Sequence, residues 1–166
     1  TDNRKVIFLG DFIDRGPQIR RVLHIVKDMI DASNAAAIMG NHEFNAIGWA
    51  TVDSHGQPLR KHSEQNRKQH EVFLAQVGND IEQYQYWIDW FKRLPLFLDF
   101  GTIRAIHACW HSSSIKKLIP YLNSDNSLKA NAFSTAFDKK SELYELIEIL
   151  LKREPKETMV LLNISW

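Results

Sequence analysis

Apolar positions recur in two rhythms along the chain. Residues 5–9 ("KVIFL") are β-branched or large apolar and predict a buried strand. Ile19, Val22, Leu23, Val26, Met29 and Ile30 then fall at helical spacing, with Arg20, Lys27, Asp28 and Asp31 between them. That pattern predicts an amphipathic helix covering one face of a sheet. Pro17 suits its first turn, and Ser33 and Asn34 end it. Residues 35–39 ("AAAIM") predict the next strand. Strand, helix and strand in this span make a βαβ unit, so the two strands run parallel and their carboxyl ends share one edge. Open α/β sheets place ligands on that edge.

The rest of the chain reads more plainly. Residues 51–64 lack periodicity and predict a loop. Helices are expected over 65–77 and 80–93, the second with Ile81, Tyr84, Trp87, Ile88 and Phe91 on one side. Pro95 stops it. "LFLDF", Gly101-Thr102 and "IRAIHA" predict a hairpin. Further helices are expected over 113–119 and 140–153, a polar loop over 123–127 and a final strand over 158–166. No repeat or low-complexity segment interrupts this order. The expectation is a mixed α/β (α+β) fold in a single, partial domain over 1–166, with 51–93 as a helical insertion. The first residue is Thr1 rather than Met, which reads as a piece of something longer.

Composition changes this picture little. Charged residues are 25% and hydrophobic residues 44% of 166, ordinary for a globular protein. The net charge of +1 neither points to nucleic acid nor excludes it. Cys109 is the one cysteine, so no internal disulfide forms and a reducing cytoplasm is the simplest setting. No apolar run approaches a membrane span and no signal peptide opens the chain.

The polar ends of the strands carry the chemistry. The first strand runs into "GDFIDRGP" at Gly10 and the second into "GNHE" at Gly40; a third ends at His107 in "HACWH". Carboxylates from Asp11 and Asp14, the amide of Asn41 and the imidazoles of His42 and His107 suit a divalent ion such as Mn, Fe or Zn. Arg15 offers a planar fork for phosphate oxygens. Metal, arginine and imidazole together describe hydrolysis of a phosphate ester. Either motif alone also fits a turn followed by a helix cap. Their recurrence on successive strand ends favours the site. The basic stretch 60–70 reads as a solvated loop and helix face more readily than as a steering patch. Trp87, Trp90 and Phe91 read as core, and Cys109 as a buried thiol.

These motifs resemble the successive signatures of the calcineurin-like metallophosphoesterases, especially the phosphoprotein-phosphatase branch, over roughly residues 5–111. The resemblance implies a two-metal site at the edge of a β-sandwich flanked by helices. In it Asp11 resembles the carboxylate bridging both ions. Asn41 and His107 resemble ligands of the second ion. His42 resembles the general acid oriented by Asp14, and Arg15 a phosphate-binding arginine. The implied substrate is a phosphorylated protein, nucleotide or polynucleotide. Asp14, commonly alanine in the diadenosine-tetraphosphate hydrolase branch, favours the protein-phosphatase or polynucleotide-phosphatase branches. The plain "HACWH" resembles bacterial members.

Two departures qualify the resemblance. The family opens with Asp-x-His, yet no histidine precedes Asp11, and the late histidine is absent because His111 is the last. Asp11 is then the one expected ligand of the first ion. The sequence therefore predicts an inactive portion of a phosphatase. The alternative is a non-catalytic binding module with a degenerate metal site.

Overall fold

The computed structural model describes residues 4–152. Among them, seven α-helices and four short strands form a mixed α/β fold, the class expected. Strands β1 (Val6–Phe8) and β2 (Ala35–Ala37) pair in parallel, with Val6 opposite Ala35 and Phe8 opposite Ala37. Helix α1 (Ile19–Asp31) connects them and buries Ile19, Leu23 and Val26. Val22 is 40% exposed, so the buried stripe is narrower than the sequence pattern. Gln18 caps this helix, which leaves Pro17 ahead of it rather than in its first turn.

Beyond Ala37 the backbone keeps pairing: the Ile38 N–H donates to Phe8 O (3.0 Å) and the Met39 N–H to Pro95 O (2.8 Å). This second bond ties the first sheet to the segment entering β3 (Phe97–Asp99). Strand β3 pairs antiparallel with β4 (Arg104–Ile106), the expected hairpin. Gly101, at φ +82°, makes its turn.

Two helices escape the sequence reading, the first of them at the site. Helix α2 (Asn41–Ala50) begins directly at the "GNHE" motif, with Gly40 as its cap. It buries Glu43, Phe44, Ala46, Ile47, Gly48 and Trp49. A helix enclosed on several sides has no solvent face to create a polar stripe, so its periodicity is faint. Gly48 is required by packing: a β-carbon there would lie 2.3 Å from Phe137 Cε1.

Helices α3 (Glu64–Val77) and α4 (Ile81–Phe91) lie where expected. Ser63 accepts from the Asn66 N–H and Asp80 from the Gln83 N–H, each capping its helix. Ile81 is 80% exposed, while Trp90 takes the buried place assigned to it. After α5 (Ser112–Leu118), the unassigned stretch before residue 140 contains α6 (Phe133–Phe137). Phe137 stacks on Phe44 with ring centres 4.3 Å apart. Helix α7 (Glu142–Lys152) buries Leu143, Leu146, Ile147, Leu150 and Leu151. Its Leu150 carbonyl accepts from the Ala108 N–H (3.1 Å), bracing the turn after β4. The strand expected over 158–166 lies outside the described residues. Among the described residues no helix is long and apolar enough to cross a membrane.

Candidate metal and phosphate site

The two glycines that end the parallel strands are there because the backbones meet. A β-carbon on Gly10 would lie 2.3 Å from the Gly40 nitrogen, and one on Gly40 2.5 Å from the Asp11 nitrogen. The first motif is also bent into the left-handed region: Gly10, Asp11, Asp14 and Gly16 have φ of 86°, 59°, 68° and 80°. For the two aspartates that geometry costs about 1–2 kcal/mol each.

Glu43 holds this strained loop. Fully buried, it accepts from the N–H groups of Asp11 (2.8 Å), Phe12 (2.8 Å) and Gly40 (3.0 Å). One carboxylate thus pins the first motif to the start of α2. Burial pushes its pKa above the ordinary value, aided by the charge of Asp11 and opposed by the N–H donors of Asp11 and Phe12. Its role is invisible in sequence, because a glutamate in a helix's first turn ordinarily faces water.

Around this pin the expected residues converge. Asp11 Oδ1 accepts from the His42 N–H (3.2 Å) and lies 3.5 Å from His107 Nε2. His107 Nε2 is 3.0 Å from Asn41 Oδ1. The other ring nitrogen of His107 lies 2.6 Å from the Leu9 carbonyl and donates to it, leaving Nε2 as the free acceptor. Ligand atoms on one divalent ion at about 2.1 Å stand roughly 3 Å apart. The two distances from His107 Nε2, 3.0 Å to Asn41 Oδ1 and 3.5 Å to Asp11 Oδ1, are of that order. No group of three or more histidine, cysteine, aspartate or glutamate side chains suited to a metal occurs among the described residues.

His42 bridges the trio to Asp14. Its Nδ1 is 2.8 Å from Asp14 Oδ2, and its Nε2 is 3.9 Å from Asp11 Oδ2. The hydrogen bond to Asp14 raises the His42 pKa above its usual value; burial opposes this, while the charges of Asp11, Asp14 and Glu43 add to it. Burial pushes Asp14 upward, but its bonds to His42 and His70 prevail and hold it below the ordinary range. His70, unmarked in the sequence reading, places Nδ1 2.8 Å from Asp14 Oδ1.

The site opens into a cavity of about 430 Å³ lined by Arg15, Asn41, His42, Arg60 and Lys68 among others. Arg15 is exposed at its rim. The basic stretch is thus split. Arg60 and Lys68 face this cavity, whereas Arg67 lies over the Trp49 ring, 5.6 Å from its centre. Trp87, Trp90 and Phe91 are buried, as core residues should be, and Cys109 is half-buried.

The strand ends thus bring Asp11, Asn41 and His107 together beside the paired Asp14 and His42. The chain belongs to the calcineurin-like phosphoesterase family, whose model matches residues 1–164. It is also similar to a bis(5'-nucleosyl)-tetraphosphatase (asymmetrical), PrpE, of Oceanobacillus iheyensis, at 27% identity over 113 residues. That match covers 65% of this chain and 42% of the relative, so the chain spans less than half of the curated protein it resembles. No solved structure matches the chain.

Proposed function

We propose that the protein is a metal-dependent phosphoester hydrolase, carried above all by one observation: His42 sits between Asp14 and Asp11 on the wall of a cavity rimmed by Arg15. Asp11, Asn41 and His107 would hold a divalent ion, manganese in the first instance. When bound, such an ion supplies Lewis acidity and lowers the pKa of water. Arg15 grips phosphoryl oxygens through its guanidinium fork. Asp14 orients His42 and raises its pKa, and His42 hands a proton to the departing oxygen. The substrate belongs either to phosphorylated proteins and polynucleotides, which Asp14 favours, or to nucleoside polyphosphates, which the relative's name favours. The 51–93 segment is read as a helical insertion over the site, since His70 and Lys68 of α3 reach Asp14 and the cavity.

The second reading, a binding module with a degenerate metal site, draws on the donor count: three donors for one ion, and Asp11 alone for another. Rates on aryl phosphates of graded leaving-group acidity, with added Mn, test the first reading. Turnover should appear in a parent protein that supplies the first ion's ligands, and His42→Ala there should slow the poorest leaving groups most. A uniform defect would remove the general-acid role. Phosphate binding without turnover on Mn, Fe or Zn would leave the binding module.

A further inference from the structure

His70 is 1% exposed on α3, inside an aromatic cage. The Phe73 ring centre is 5.1 Å away and the Trp49 ring centre 5.8 Å. Its Nε2 is buried without a hydrogen-bond partner among the described residues. A phenylalanine or leucine would fill such a cage without stranding a polar atom. Among the described residues, the imidazole's single side-chain hydrogen bond joins Nδ1 to Asp14 Oδ1, 2.8 Å away. The other oxygen of that carboxylate, Oδ2, meets His42 Nδ1 at the same distance. The Asp14 side chain is itself 3% exposed.

We propose that His70 is a positioning residue: by binding Asp14 Oδ1 it fixes the plane of the carboxylate, so that Oδ2 is aimed at His42. A terminal carboxylate torsion is broad and roughly two-fold. One imidazole on one oxygen restrains it weakly, and a second imidazole on the other oxygen removes the remaining freedom. Because His70 lies on α3, the aim of His42 becomes tied to the seating of that helix. Gln76 of the same helix accepts from the Ile19 N–H (2.9 Å), which docks α3 on α1 independently. This inference rests on the hydrolase reading for its purpose, but its first test does not need turnover.

The full chain, with ring-labelled histidine, is examined by nuclear magnetic resonance alongside three variants. His70→Phe keeps the ring volume and loses the donor; His70→Asn keeps an N–H near the position of Nδ1. The His42 Nδ1–H signal is assigned by its loss in His42→Ala. It should broaden by exchange or move upfield in His70→Phe and return in His70→Asn. An unchanged signal in a folded His70→Phe overturns the proposal. If His70→Phe fails to fold, His70→Leu replaces it, and failure of both marks His70 as a packing residue and also overturns the proposal. In the same samples, aryl phosphate turnover with Mn should lose about tenfold in kcat with KM unchanged in His70→Phe, and recover in His70→Asn. Absent turnover in the unaltered chain agrees with the missing ligands of the first ion and leaves the resonance test standing.

Discussion

Glu43 carries the heaviest structural duty of any polar side chain near the site. Replacing it by glutamine leaves one acceptor oxygen where two served three N–H groups. At least one buried N–H then faces an amide NH₂. Glu43→Gln should destabilise the fold by about 1–3 kcal/mol in denaturant titration, and a change within error would show that the pin is dispensable. Residues of this kind mark the boundary of what a sequence tells. Asp11, Asp14, Asn41, His42 and His107 are legible because each follows a strand whose direction can be worked out. Glu43 and His70 are not, because their partners lie far away in sequence. His70 moreover stands in a charged run that reads as a solvated surface.

At the level of elements, the amphipathic helices were readable and the enclosed one was not. Helix α1 shows its face; α2, packed against Phe137 on one side and the strained loop on another, shows none. Gly48→Ala tests that enclosure. Alanine favours a helix by about 1 kcal/mol. The 2.3 Å clash with Phe137 should outweigh this and give net destabilisation of about 1–3 kcal/mol. Adding Phe137→Leu should recover part of the loss, and a stabilised single variant would refute the packing. The contact of α3 with α4 gives a pH signature. Burial, with a lesser effect from the charge of Asp14, pushes the Tyr84 phenol up to about 12. A pKa raised in the folded state means that stability is intact below the unfolded value of about 10. It falls as pH climbs from there to the folded value, because the unfolded chain sheds that proton first. Tyr84→Phe should flatten this alkaline decline in denaturant midpoints, whereas parallel declines would place the phenol in water.

For the molecule as a whole, the donor census sets the expectation for metal. Three donors about one ion enclose it poorly, so Mn should bind weakly in calorimetry, and Asp11→Asn should abolish the heat. A tight two-ion isotherm would contradict the census. The left-handed loop has a consequence in time as well as in space. Asp11 and Asp14 cannot hold their conformation on local energetics, and the carboxylate that stabilises the loop arrives from a helix more distant in sequence. The loop therefore acquires its shape only after α2 has docked, late on the folding path. Stopped-flow measurements on Glu43→Gln should show faster unfolding with refolding nearly unaltered, the mark of contacts absent from the transition state. A refolding rate that falls by the whole stability loss would place the contact in the nucleus. If the contact forms late, a nascent chain spends most of its folding without a site, and ions or phosphates in the medium have nothing to capture until the scaffold is complete.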